Sequence, residues 1–233
     1  MDILYNLLHS VFDDFKSLYL CPGMNKKWTI LTLLILLTGF CYAQNWDIDY
    51  LKEINLNRNR SLDQLFIFIT NISAPVAYSI PAFILIYALA KHKEILKQKS
   101  YFLIFTTLSM LLIATVIKHL VNRARPFITY PFIQKIGTGG SPSFPSGHTC
   151  DAFTLAMTLS LAFPRWFVIL TSFKLSILVG YSRMDLGVHY PSDVLAALAM
   201  AIIGSLISWY FFRKKIINAR SFNPHSSQTI KQI

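Results

Sequence analysis

The chain has 233 residues, of which 54% are hydrophobic and only 14% charged, with a mean hydropathy of +0.46; an average soluble domain is about 25% charged. So much apolar surface with so few charges to cover it excludes a disordered chain, a disulfide scaffold and a secreted soluble enzyme, and predicts a one-domain, multi-span membrane protein. The net charge of +11 fits either a nucleic-acid partner or positive cytoplasmic loops, and the positions of the charges separate the two.

Residues 1–23 are mixed in character and read as an upstream extension. Residues 24–43 have the layout of a secretory signal peptide. A basic Asn25-Lys26-Lys27 precedes an apolar run of 13 residues, Trp28 to Phe40, and Cys41 and Ala43 stand at −3 and −1 before Gln44. That run is short of the roughly 20 residues a spanning helix needs. Cleavage after Ala43 is therefore the expectation, with an uncleaved first span as the alternative. Of the three cysteines, Cys21 and Cys41 fall before that point, which leaves Cys150 alone and no disulfide framework.

Residues 44–64 read as an amphipathic lead-in. Tyr50, Leu51, Ile54, Leu56 and Leu62 suit either the membrane surface or a short ordered approach to the first span. Residues 65–212 hold five apolar segments: Leu65–Ala90, Tyr101–Ile117, Thr149–Phe163, Trp166–Tyr181 and Val194–Phe212. A bilayer admits only helices or closed barrels, so these segments read as helices and the fold class as an all-α, polytopic transmembrane helical bundle. Asn71, Ser73, Pro75 and Pro81 interrupt the first segment, which predicts a spanning helix over 75–90 with a separate short helix before it.

If the spans alternate, Lys91, Lys93, Lys97, Lys99, Arg165, Arg213, Lys214, Lys215, Arg220 and Lys231 all fall on one side. The positive-inside rule makes that side the cytoplasm and makes residues 213–233 a basic cytoplasmic tail. A tail that abuts a span is a topology determinant, so nucleic acid is not an expected partner. The 118–148 and 182–193 loops and Gln44 then lie outside, in agreement with a cleaved signal peptide. Lys174, near the middle of the Trp166–Tyr181 segment, is a functional candidate by its depth, with a place facing the bundle as the alternative.

The two outside loops hold most of the reactive side chains. Lys118 and Arg125 are two helical turns apart and share a face if the helix runs that far, with Pro126 ending it. Pro145-Ser146-Gly147-His148 opens the next helix, whose first amides lack internal partners and favour an anion. Ser182-Arg183 leads to His189 and Asp193, spaced so that the carboxylate reaches back to the imidazole. Three cations with helix-start amides suit a phosphate and its transition state. Of the two histidines, one oriented by Asp193 suits a nucleophile and the other a proton donor. No carboxylate or Cys/His cluster has metal spacing, so the chemistry requires neither metal nor cofactor.

Lys118-x6-Arg125-Pro126, Pro145-Ser146-Gly147-His148 and Ser182-Arg183-x5-His189-x3-Asp193 resemble, in order, the three signature motifs of the type 2 phosphatidic acid phosphatase (PAP2) family, which is related in fold to vanadium haloperoxidases. The resemblance runs from about Gln44 to Phe212. It implies a metal-independent lipid phosphatase of the bacterial inner membrane with its site on the periplasmic side. It makes His189 the nucleophile of a phosphohistidine intermediate, Asp193 its orienter and His148 the general acid, with Lys118, Arg125, Ser146, Gly147 and Arg183 binding phosphate. The signal-peptide layout and short outer loop are similar to the lipid A phosphatases. Undecaprenyl pyrophosphate and phosphatidylglycerophosphate are the alternative substrates, all of them lipids presented by the bilayer. A vanadate-dependent haloperoxidase, which is soluble, and a non-enzymatic membrane protein are the other classes. Arg123 is assigned to lipid head groups before the phosphate site, Asp151 to the helix dipole before tuning of His148, and the glycine-containing 127–144 loop to a lid or a plain connection.

Overall fold

The computed structural model describes residues 46–137 and 139–221. The expected extension, signal peptide and cleavage site lie outside the described residues, as do residues 222–233.

Residues 46–56 form helix α1. A 3-10 turn, Arg60–Leu62, capped by the Asn59 side chain on the Ser61 amide, leads into α2, Asp63–Ala90. Then follow α3 (Glu94–Val121), the single turn α4 (Pro126–Thr129), α5 (Gly147–Ala162), α6 (Trp166–Asp185) and α7 (Pro191–Ser221). The described residues contain no strand. The chain is thus an all-α bundle. Helices α2, α3, α6 and α7 are long and apolar enough to cross a membrane, and their outer faces expose large apolar side chains such as Phe83, Leu112, Leu170 and Ile203.

Three expectations are corrected. Helix α2 is unbroken from Asp63 to Ala90 and carries Pro75 and Pro81 inside it, so no separate short helix precedes residue 75. Each proline removes one backbone donor. Packing against neighbouring helices, at buried Ala77 and Pro81, keeps the helix whole, as is common in apolar surroundings. Helix α7 runs past Phe212 to Ser221, because nothing in Arg213-Lys214-Lys215-Ile216 breaks a helix. And α5 is not a fifth lipid-facing span. Its 16 residues reach about 24 Å at 1.5 Å per residue, against about 30 Å of hydrocarbon.

Helix α5 is instead the axis of the bundle. It packs on α2, α3, α6 and α7, and none of its residues is exposed. That position explains its small and hydroxylated sequence. The Thr158 hydroxyl donates to the Thr154 carbonyl of its own helix, and the Ser176 hydroxyl on α6 donates to the Ala152 carbonyl. Polar groups satisfied on the backbone in this way cost little inside the bundle. At the far end, Phe102, Leu103, Ala162 and Ile216 form a core cluster with Trp209 and Phe212 around it. Midway, Gly204 lets α7 approach so closely that an added Cβ would collide with Met110 of α3. The basic turns after α2 and α5 lie at the far end. The α3–α5 and α6–α7 connections lie at the other, where the candidate site forms.

Candidate active site

Helix α3 stops at Asn122, which takes the left-handed conformation (φ 47°) and closes the helix on the Lys118 carbonyl. The helix does not run as far as Arg125, so Lys118 and Arg125 do not share a helix face. Arg125 lies beyond the cap, in extended backbone before Pro126, and the loop turns its side chain back toward Lys118. The left-handed cap, not helical periodicity, brings the two cations together.

Both cations hold the 139–145 segment in place. Lys118 Nζ donates to the carbonyls of Pro142 and Pro145 at 2.8 Å each. Arg125 Nε donates to the Ser141 carbonyl at 2.7 Å and Nη1 to the Val188 carbonyl at 3.0 Å. Gly139 sits against this guanidinium, and a Cβ there would come within 2.5 Å of Nη1. The loop is thus neither a detached lid nor a plain connection: Gly139, Gly140 and Ser141 form a wall of the site.

That wall, Lys118, Arg125, Gly147, His148, Asp151, Arg183 and His189 enclose a cavity of about 320 Å³. Gly147 and His148 open α5, with Ser146 as its N-cap. The Ser146 side chain pairs with Thr149 (2.8 Å) and its amide donates to the Asp193 carbonyl, which places it behind the wall of the cavity. Arg183 is 2% exposed and donates from Nη1 to the Thr70 hydroxyl at 2.6 Å. Asp193 also stands behind the cavity. Its carboxylate accepts from Ser143 Oγ, from the Tyr190 amide at 3.0 Å and from Arg123 Nη1 at 2.7 Å, and lies 3.4 Å from His189 Nδ1. With Nδ1 turned to Asp193, Nε2 is the His189 nitrogen left for the cavity.

Burial, helped by Arg183 and Arg125 and opposed by Asp193, holds His189 well below the usual histidine pKa. It is neutral at pH 7. Burial, with Arg183, Arg125 and Lys118, pushes His148 down to about 4. His148 is therefore neutral at pH 7, and a phosphate anion among the same three cations would offset the repulsion that keeps its proton away.

Several residues take places that motif reading did not give them. Arg123 does not line the cavity; it binds Asp193, Ser192 and Asp47. Asp151 is on the cavity wall, where its Oδ1 accepts from the Tyr78 hydroxyl at 3.1 Å. Lys174 is exposed on the outer face of α6, away from the site. Asn55 on α1 links the Asp185 carbonyl at 2.8 Å to the backbone of Gln134, bonding its carbonyl at 3.0 Å and its amide at 2.8 Å. Helix α1 is thus a clamp over the site end. Gly187 (φ 69°) lies under this link, where a Cβ would strike the Gln134 carbonyl.

The model of the PAP2 superfamily matches residues 99–217, which include every cavity residue named above. An undecaprenyl-diphosphatase of Sulfolobus acidocaldarius is 29% identical over 77% of this chain and 84% of its own length. A lipid A 1-phosphatase of Rhizobium johnstonii is 33% identical, but the match spans only 48% of each chain. The crystal structure of Aquifex aeolicus LpxE superimposes with a TM-score of 0.60 at 26% identity, covering 71% of this chain and 95% of that one.

Proposed function

This chain belongs to the PAP2 superfamily of membrane phosphatases, and from that premise we propose that it removes a phosphate from a lipid head group, lipid A first, at the periplasmic face of a bacterial inner membrane. The observation that carries the phosphatase chemistry is the convergence of Lys118, Arg125, Arg183, His148 and His189 on one cavity. The three cations and the amides at the start of α5 hold the phosphoryl oxygens. His189 Nε2 attacks phosphorus, forming a P–N bond as the bond to the lipid oxygen breaks. Asp193 stabilises the imidazolium that develops. His148 passes its proton to the departing lipid alkoxide and then, as a base, takes one from the water that cleaves the phosphohistidine. Phosphate leaves, and both histidines return to their starting states.

Orientation rests on the separation of charge. The basic turns and the α7 terminus gather at the end opposite the cavity, which by the positive-inside rule is the cytoplasmic one. The preference for lipid A rests on Asp151. A carboxylate on the cavity wall accepts hydrogen bonds from sugar hydroxyls beside a phosphate and repels the second phosphate of a diphosphate. Undecaprenyl diphosphate is the second reading, favoured by the fuller match to the Sulfolobus acidocaldarius relative.

Phosphate release from lipid A, undecaprenyl diphosphate and phosphatidic acid by purified protein tests both levels. Lipid A is expected to turn over fastest, and faster release from undecaprenyl diphosphate would exchange the two readings. His189→Ala is expected to lose about 10⁴-fold or more in kcat on every substrate. Unchanged release in that variant would overturn the mechanism.

A further inference from the structure

Behind the cavity lies a second array of charges, of which the chemistry above uses only Asp193. The Arg123 guanidinium stands between two carboxylates. Nη1 donates to Asp193 Oδ1 and Nη2 to Asp47 Oδ2, each at 2.7 Å. The Asp193 and Asp47 side chains are 0% and 2% exposed. Ser192 closes the array: its hydroxyl accepts from Arg123 Nη1 at 2.7 Å and donates to Asp47, and its amide donates to Asp47 Oδ1 at 2.8 Å. The Tyr190 ring lies under the guanidinium, 3.8 Å from Cζ. The arginine thus has no other low-energy position, and the last member of the row, Asp193, faces His189.

We propose that Arg123 and Asp47 are positioning residues that set the orientation and basicity of His189 through Asp193. This rests on His189 being the nucleophile. The arrangement has a definite electrostatic sense. Arg123 draws on the Asp193 carboxylate and weakens its hold on a proton at His189. Asp47 partly neutralises Arg123 and so limits that draw. Arg123→Gln therefore makes Asp193 a stronger partner and raises the proton affinity of His189. Asp47→Asn leaves Arg123 less compensated and lowers it. The other ionisable groups facing His189 are Arg183 on α6, Arg125 beyond α3, and, across the cavity, Lys118 on α3 and His148 and Asp151 on α5. None is altered by these substitutions.

His189 attacks only when neutral, so its proton affinity appears in the acid limb of the kcat profile. Full-length protein in detergent, assayed with dioctanoyl phosphatidic acid from pH 2.5 to 8, reads this limb; the substrate's own titration is common to all variants. Arg123→Gln is expected to lower kcat about 10–100-fold with KM little changed, and to move the limb up by about 0.5–1 pH unit. Asp47→Asn moves it down. Arg123→Lys keeps the charge but loses the fork that spans both carboxylates, so its limb stays near wild type while kcat falls. A scaffold role alone predicts loss of kcat with unmoved limbs, and that result, or shifts in the same direction, overturns the proposal. If Arg123→Gln does not fold, the Asp47→Asn limb decides: a downward move supports the proposal and no move overturns it. Activity in His189→Ala would overturn the nucleophile reading and the proposal with it. An inactive His189→Ala with unmoved limbs overturns the proposal alone.

Discussion

Lysine and arginine gather at both ends of this bundle, in opposite states. At the basic end the cations lie on the surface, resting on aromatic rings: Lys93 over Tyr87 at 5.5 Å, Arg213 over Tyr210 at 4.9 Å, Lys215 over Phe212 at 5.7 Å. Their charged heads keep most of their water while the stems cover apolar surface. At the site end the cations are taken out of water. Arg125 is 5% and Arg183 2% exposed, and their guanidinium groups donate to carbonyls and a hydroxyl of the fold. Removing a cation from water costs several kcal/mol unless its donors are met. The fold meets that cost at one end only, and there the charge becomes a fixed instrument aimed at a ligand. At the other end the same residue types carry only their sign.

Substitutions at the two ends should therefore behave differently. The largest contrast is expected for Arg125→Lys, which keeps the charge but cannot bond Ser141 and Val188 in the same fork. Steady-state kinetics should show kcat/KM reduced about 10²–10³-fold. A loss below threefold would place Arg125 among the surface cations. Next comes Gly187→Ala, which forces a side chain into left-handed backbone and against the Gln134 carbonyl. It should destabilise the protein by about 2 kcal/mol, read as a lower thermal midpoint in detergent.

A smaller effect concerns pH. Burial and the three cations depress the pKa of His148 to about 4; a phosphate bound among them should raise it, so binding takes up a proton. Inorganic phosphate should therefore bind more tightly as pH falls from 7 toward 5, by up to about tenfold more than in His148→Asn. The variant serves as the control for the titration of phosphate itself. Parallel binding curves for the two proteins would show that His148 does not feel the site. The smallest effect is expected at the far end. Lys215→Ala and Arg213→Ala, separately, should leave kcat/KM within about twofold, since an exposed cation–π contact is worth about 0.5–1 kcal/mol.

The motif residues could be picked out along the chain because phosphate chemistry needs particular side chains close together in two loops. Their supports could not. Asp47 bonds a residue 145 positions away and Arg123 one 70 positions away, and neither separation leaves a periodic trace. Ser143, which donates to Asp193, is one polar residue among several in its loop and carries no sequence mark of that contact. The span boundaries went astray for a related reason. Proline breaks helices in water, yet α2 runs through Pro75 and Pro81 because its neighbours hold it. Pro126 marks the residue before it as non-helical, but where between Lys118 and Arg125 the helix stops is decided by Asn122, a residue tolerant of left-handed backbone but not committed to it.

The position of α5 has a consequence for how the enzyme meets its membrane. Every other described helix exposes at least one residue, whereas α5, which begins at the cavity with Gly147 and His148, exposes none. When the surrounding acyl chains shorten or lengthen, the outer helices can tilt to match, at a cost of fractions of a kcal/mol per ångström. Gly147, His148 and Asp151 sit on the one rod inside that adjusting ring, whereas Lys118 and Arg183 ride on the ring itself, so lipid thickness reaches the site through the spacing of its cations from His148.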